Sequence, residues 1–338
     1  MSTTDATLSA VIDRALYAAT RAPSVHNTQP WLFDVSPPHI ELRLDRERVL
    51  PVADPDGREA QLSCGAALLN LVVAVQASDR GVVTDFLPDP ARPDLLARVR
   101  IGGYRLASPE LRSLATAIGR RATNRRPFYE RPVPSTHRRV LTGAAQVAGA
   151  HLVLLDTPKR LETFAGLLRR ADHLQEENPA FQTELRAWTT GVADRHDGVP
   201  HSAGGPRPVG GTLLKLRSYP GQAPRGEREF EQEPLVAVLS SPGDTVLDRL
   251  RAGLAMQRVL LSATAAGLSA SFLSQPIEIP YIRAALRDLL GGPNHPQTVL
   301  RIGYGHPPAP TPRRPVADVT RYSATVGPAA GRPEEEQS

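Results

Sequence analysis

The sequence predicts an α+β fold arranged as two pseudo-symmetric halves, and three observations lead there. An apolar helical rhythm runs straight into a strand hairpin near the start. Ala- and Leu-rich helices then alternate with short apolar strands along the rest of the 338 residues. Finally, Gly65-Ala66-Ala67-Leu68-Leu69-Asn70 resembles Gly253-Leu254-Ala255-Met256-Gln257-Arg258. Each copy leads to a glycine, a short apolar segment, a proline and a strand ending in Ile-Gly. Ala18-Ala19 before the hairpin likewise resembles Ala144-Ala145 before His151-Leu152-Val153-Leu154.

The elements follow in order. Val11, Ile12, Leu16 and Ala19 mark a helix over 8–22, stopped by Pro23. Strands at 31–35 and 40–44 form a hairpin across Pro37-Pro38. Asp54-Pro55-Asp56-Gly57 is a turn, and an apolar helix over 63–77 takes Ser63 as its N-cap. A strand at 95–101 closes the first half, 1–107. The second half, 108–326, opens at Ser108-Pro109-Glu110 with proline just inside a helix. Helices at 110–120 and 135–147, a strand at 151–155, and helices at 159–177 and 179–189 come next. Residues 194–233 are Gly/Pro-rich around an apolar Leu213-Leu214, too long for an ordinary connection, and read as a lid or a disordered loop. A strand at 235–239, helices at 245–266 and 280–290, and a strand at 298–304 precede a disordered tail at 327–338.

Composition excludes several classes. The charge of +5 is almost all arginine, with Lys159 and Lys215 the only lysines and acids scattered among the basic residues. Aromatics are only 5%, so no basic stripe with interleaved aromatics marks a nucleic-acid surface. Cys64 is the sole cysteine, which rules out an intrachain disulfide and a Cys-built metal site. No histidine pair has ligand spacing, so no metal is expected. No run approaches the ~18 consecutive apolar residues of a membrane span. Met1-Ser2-Thr3-Thr4-Asp5 lacks the basic start of a signal peptide, so a cytoplasmic location is expected.

Two stretches carry chemistry. Ser24, His26, Asn27, Thr28 and Gln29, between Pro23 and Trp31, offer donors and acceptors to the edge of a flat heteroaromatic ligand. Local Ser and Asn bonding at a helix end is the other reading. Trp31 reads as core, and His26 as a satisfied loop histidine. The block from Arg120 to Phe128 holds four arginines with Thr123 and Asn124, suited to a phosphate or to a solvated basic helix end. Ligand-plane chemistry in one half and phosphate chemistry in the other point to a phosphorylated cofactor, with FMN the best candidate. No GxSxG elbow, Walker loop, HExxH or strand-to-helix GxGxxG is present.

Ala22-Pro23-Ser24-Val25-His26-Asn27-Thr28-Gln29-Pro30-Trp31 closely resembles the APSxxNxQPW signature of the nitroreductase-like FMN proteins. Arg121-Ala122-Thr123-Asn124-Arg125 resembles their R-x-S-x-[RK] motif, and Arg301-Ile302-Gly303-Tyr304-Gly305 with Arg313-Arg314-Pro315 resembles their C-terminal ending. The motif order is the reverse of an ordinary member's. Each half has lost what the other keeps, as in the Acg branch, where one chain resembles two fused subunits. Ser63 to Asn70 and Asp197-Gly198-Val199-Pro200 also fit that branch.

The resemblance implies a central, mostly antiparallel sheet flanked by helices in each half, and one composite FMN site per chain. It assigns the phosphate to Arg121 and Thr123 with Arg313 or Arg314, and the N1–C2=O edge of the flavin to Arg125. Pro23, Ser24, Val25 and Asn27 line the flavin, and Ser274 and Gln275 approach its N5 without the family's usual Glu-Gly. No catalytic residue is assigned. The implied activity is an FMN-dependent oxidoreductase passing electrons from NAD(P)H to a nitro-compound, quinone or similar small acceptor. The alternative is a flavin-sequestering protein with a lid over the cofactor. The chain is expected as a monomer with an internal pseudo-dimer, or as a homodimer.

Overall fold

The computed structural model describes residues 3–191, 195–206, 213–214, 216–219, 230–231, 234–307 and 311–323. The expected tail at 327–338 and parts of the expected lid lie outside the described residues.

Helix α1 (Thr3–Thr20) leads through a tight turn into strands β1 (Trp31–Ser36) and β2 (His39–Leu44), paired antiparallel from Trp31 opposite Leu44 to Ser36 opposite His39. Helix α2 (Arg58–Ala77) starts five residues before the expected position. Asp54 is the reason, because its carboxylate accepts the backbone N–H groups of Glu59 (2.9 Å) and Ala60 (2.8 Å). Ser63 is therefore inside the helix and not its N-cap; its hydroxyl donates to the Glu59 carbonyl at 2.7 Å. Strands β3 (Arg80–Phe86) and β4 (Leu95–Tyr104) complete a sheet whose order is β1-β2-β4-β3. Helix α3 (Pro109–Arg120) begins as expected, with the Ser108 hydroxyl capping Leu111 N–H at 3.2 Å.

The second half repeats the plan. Helix α4 (Ser135–Val147) and strand β5 (His151–Leu154) precede helices α5 (Pro158–Glu176) and α6 (Pro179–Ala187). The short strands β6 (Thr189–Thr190) and β7 (Val199–Pro200) pair in parallel. Then come β8 (Leu235–Ser241), α7 (Val246–Ala265), β9 (Ser269–Phe272), α8 (Gln275–Glu278), α9 (Pro280–Leu290) and β10 (His295–Gly303). The second sheet is ordered β5-β8-β10-β9, every neighbour antiparallel. Substituting β1, β2, β3 and β4 for β5, β8, β9 and β10 reproduces the first sheet's order. After α10 (Val316–Val319), the last described strand, β11 (Thr320–Tyr322), crosses back and pairs in parallel with β1. Residues 320–322 thus belong to the first sheet, which corrects the expectation that all of 108–326 lies in the second half.

The two halves meet along α2 and α7, and the contact is reciprocal. A Cβ on Gly65 would lie 2.1 Å from the Leu250 carbonyl oxygen; a Cβ on Gly253 would lie 2.1 Å from that of Leu62. Only glycine lets these two backbones approach so closely. Further along the helices, Gln257 donates to Asn70 Oδ1 at 2.7 Å, and Asn70 donates to the Ala18 carbonyl at 2.9 Å. One core runs through the interface, joining Ile12, Trp31, Phe33 and Leu68 to Leu239, Leu250 and Leu300. Helix α2 is long and apolar enough to cross a membrane by composition, yet 78% of that apolar window is buried inside the protein. It is the central core helix.

Candidate functional site

Between α1 and β1 the chain makes a tight turn in which His26 (φ 46°), Asn27 (φ 59°) and Gln29 (φ 54°) all adopt left-handed backbone. Such conformations in non-glycine residues cost about 1–3 kcal/mol each and persist only where the surroundings enforce them. Here they do. Gln29 N–H donates to Ser24 Oγ at 2.9 Å, and the Gln29 side chain reaches the His196 carbonyl at 2.9 Å. Asn27 donates to the carbonyls of Gly198 (3.0 Å) and Pro312 (3.1 Å). Residues distant in sequence therefore hold the turn from two sides. Trp31 beyond it is fully buried, as expected of a core residue.

Guanidinium groups gather on the same turn. Arg313 donates to Asn27 Oδ1 (2.9 Å) and to the Ala22 carbonyl (3.2 Å), while Arg121 approaches the Arg21 carbonyl at 3.4 Å. Arg121 is buried and Arg313 half-buried, and the Nε atoms of both are shielded from solvent and lack a partner among the described residues. Burial and the neighbouring Arg21 and Arg125 push Arg121 down to about 10. Burial, Arg121 and Arg21 push Arg313 well below its ordinary value. A guanidinium resists deprotonation, so the cluster remains positive. No carboxylate pairs with these arginines among the described residues. Buried like charges of this kind call for an anion. The reading of the basic block as a solvated helix end fails for Arg121, which is 8% exposed.

Beside the cluster a cavity opens between the two halves. Pro23, Ser24, Val25 and His26 come from the turn, Glu59, Leu62 and Ser63 from α2, and Thr123 and Arg125 from the loop after α3. Met256, Phe272, Ser274 and Thr298 line it from the second half, together with Arg217 and Tyr219. His26 is buried and held neutral, its basicity lowered by desolvation and by Arg217 and Arg125. It was expected as a satisfied loop histidine, but its Nε2 has no partner among the described residues. Arg125 donates to the Ala203 carbonyl at 3.2 Å and stacks its guanidinium 5.0 Å from the Tyr219 ring centroid. The open space is about 60 Å³, room for a few waters and well below the roughly 300–1,000 Å³ of a ligand pocket.

The described part of the expected lid folds over this region. Gly198 exchanges backbone and side-chain bonds with Asn27, and Asp197 pairs with Arg48 at 2.8 Å. A Cβ on Gly205 would lie 2.3 Å from the Arg125 carbonyl oxygen, so the lid backbone sits directly on the Arg125 loop. Leu214 anchors the lid in a second core cluster with Phe164 and Val236. Arg217 is tied to Glu278 at 2.5 Å and to Gln175 at 3.0 Å. Behind the loop at 124–128, Arg301 pairs with Glu231 at 2.8 Å, donates to the Arg126 carbonyl at 2.8 Å and lies 4.0 Å from the Phe128 ring centroid.

Three comparisons bear on these features. The family model described as "Nitroreductase family" matches residues 118–306. A Mycobacterium tuberculosis protein named "Putative NAD(P)H nitroreductase Rv3131" is 34% identical over 321 residues, covering 91% of this chain and 90% of the relative. A second from the same organism, "Putative NAD(P)H nitroreductase acg", is 33% identical over 334 residues, covering 96% and 98%. The chain belongs to the nitroreductase family. Among solved structures, a nitroreductase with bound FMN from Desulfitobacterium hafniense aligns with a TM-score of 0.42 at 12% identity, covering 63% of this chain and 98% of that one.

Within this nitroreductase-family chain, the expected site residues divide into three groups. Pro23, Ser24, Val25, Thr123, Arg125 and Ser274 line the cavity together. Asn27, Arg121 and Arg313 form the cationic end around the turn. Two residues fall elsewhere. Gln275 is 1% exposed and turns its amide to Asp172 at 3.3 Å. Arg314 reaches Asp45 at 3.4 Å, the Asp318 carbonyl at 3.2 Å and the Gln29 carbonyl at 3.5 Å, and makes no hydrogen bond with Arg121 or Arg313 among the described residues. The sequence reading missed Glu59, Met256, Phe272, Arg217 and Tyr219 on the cavity wall. For the lid pair, the one usable signal was an arginine and a tyrosine inside a Gly/Pro-rich stretch.

Proposed function

We propose that this protein is an FMN-dependent oxidoreductase of the nitroreductase type, with one composite FMN site per chain and a nitro-compound or quinone as acceptor. One observation supports this above the rest: buried Arg121 and half-buried Arg313 lie beside each other with shielded Nε atoms that have no partner, and with no paired acid, among the described residues. A phosphate monoester carries about −1.5 to −2 charges at neutral pH, which suits that cluster. Arg121 and Arg313 would hold the phosphate, and Asn27 orients Arg313. Pro23, Ser24, Val25, Thr123 and Arg125 then surround the flavin, and Ser274 faces it from the second half. Arg125, a cation on the cavity wall, would favour the reduced, anionic form of the cofactor. When bound, FMN would supply the hydride and electron chemistry between NAD(P)H and the acceptor, while these residues supply its orientation and electrostatics. The matching strand orders support a duplication in which each half keeps the motif its twin has lost. The internal interface makes a monomer sufficient.

A second reading is favoured by Arg217 and Tyr219, which stand in the cavity wall and leave little open space. In that reading the lid shields the flavin from nicotinamide and the protein stores FMN. Anaerobic mixing of the purified, FMN-loaded protein with NADH or NADPH separates the two. Loss of flavin absorbance, reversed by a quinone or nitroaromatic, supports the oxidoreductase. Absorbance unchanged with either nucleotide supports storage.

A further inference from the structure

We propose that Glu59 donates the proton that a quinone- or nitro-type acceptor takes up as it is reduced at this cavity once the Arg217–Tyr219 wall has opened to admit it. The inference rests on the oxidoreductase reading above. Glu59 sits in the first turn of α2 and lines the cavity with Leu62, Ser63, Ser274 and Thr298. It is 3% exposed, and its Oε2 has no partner among the described residues. A buried carboxyl oxygen with no donor, on a residue that lines a cavity, is costly as an anion and suited to being an acid.

The surroundings hold the proton on Glu59 and prepare for its loss. Burial comes first, then the like charge of Glu278 and, less strongly, Asp54, while Arg58 and Arg217 oppose them. Glu278 is itself tied to Arg217, and Arg58 spends its Nη1 on the Gln297 carbonyl (2.8 Å) and side chain (3.1 Å). The balance raises Glu59 to about 8, near the working pH where a general acid is most effective. Once the proton leaves, Arg58 Nη2, 3.2 Å from Glu59 Oε1, is in place to receive the new charge. The other positively charged groups lining the cavity, Arg125 and Arg217, stand with neutral His26. Glu59 is the only carboxylic acid among the described residues that line the cavity.

The balance is simple. Reduction of a quinone to its hydroquinone consumes two electrons and two protons. A hydride from the NAD(P)H-reduced cofactor supplies both electrons and one hydrogen. The remaining proton moves from Glu59 Oε2–H to the acceptor oxygen: one O–H bond breaks, another forms, and Glu59 is left as a carboxylate. Water re-protonates it between turnovers.

The test uses the FMN-loaded protein and its Glu59→Gln variant, photoreduced under anaerobic conditions so that nicotinamide access is irrelevant. Each is mixed with 1,4-benzoquinone, which takes protons, and with ferricyanide, which takes only electrons. Glu59→Gln should slow reoxidation by the quinone about a hundredfold and leave the ferricyanide rate unchanged. Infrared spectra at neutral pH should show a protonated-carboxyl C=O band that the variant lacks. Equal quinone rates, equal slowing with both acceptors, or no such band in the unaltered protein overturns the proposal. Failure of the oxidoreductase reading shows separately, as absent flavin absorbance or as quinone-inert reduced protein, and the infrared band then decides alone whether Glu59 holds the proton.

Discussion

Asn27 Oδ1 accepts a hydrogen bond from Arg313 at 2.9 Å, joining the first turn of the chain to its C-terminal segment. That bond holds a half-buried guanidinium close enough to Arg121, from the second half, for the two charges to repel. The pair repels itself, and charge-assisted bonds to an anion contribute about 1.5–3 kcal/mol each. Arg121→Ala and Arg313→Ala should therefore each weaken FMN binding roughly ten- to a hundredfold, read by fluorescence titration of the flavin. Arg314→Ala removes a contact to Asp45 instead and should leave FMN affinity unchanged. Equal losses in all three variants would contradict the assignment of Arg313.

The reciprocal glycine contact predicts a stability effect with its own control. Gly65→Ala or Gly253→Ala would drive a methyl into the opposing helix carbonyl, 2.1 Å away in either direction. Such overpacking costs about 1–3 kcal/mol or more. Gly143, inside α4, has nothing within 4 Å of an added Cβ, so Gly143→Ala should stabilise by about 0.4–1 kcal/mol. Urea unfolding of the three variants checks both signs.

Much of this was legible in the sequence, and the failures have local causes. The β1–β2 hairpin, α3 and α7 carry strong periodicity and caps, and they lie close to their expected positions. The start of α2 was misplaced because Asp54 reaches five and six residues forward, beyond ordinary capping range, and Ser63 mimics a cap. Strand β9, Ser-Ala-Ser-Phe, has no β-branched residue, and β11 is three residues long, so both exist only through their partners. At the site, the turn and Arg121 stood out by composition. Nothing in Arg313-Arg314 says which side chain turns inward; packing decides it. Glu59 was invisible because an acid in the first turn of a helix reads as a dipole partner, and burial is not written in the local sequence.

Tyr219 should control entry. With the Arg125 guanidinium stacked on its ring and His26 edge-on at 6.3 Å, it closes the cavity from the lid side. Tyr219→Ala should speed both FMN association and reduction of the bound flavin by NAD(P)H, measured by stopped-flow absorbance. Unchanged rates in both steps would remove the lid from the access path.

Stability should carry the imprint of Glu59. Its proton is held up to about pH 8 in the folded chain against an ordinary value of 4.5. Between those values the folded state binds more protons than the unfolded state, so stability contributed by the protonated group is lost as pH rises. Glu59→Gln cannot titrate, and should lose less stability than the unaltered protein across that window. Parallel stability–pH curves from urea unfolding would show that Glu59 titrates normally.

The central claim is that one composite site, built around Arg121 and Arg313, binds one FMN per chain. Its most direct measurement is the flavin released on denaturation of the reconstituted protein, quantified against protein concentration. The account predicts a ratio of one for the unaltered chain and a marked loss in the Arg121→Ala, Arg313→Ala double variant. A ratio near two would mean that the pseudo-symmetric twin also binds, and a ratio near zero would contradict the site altogether.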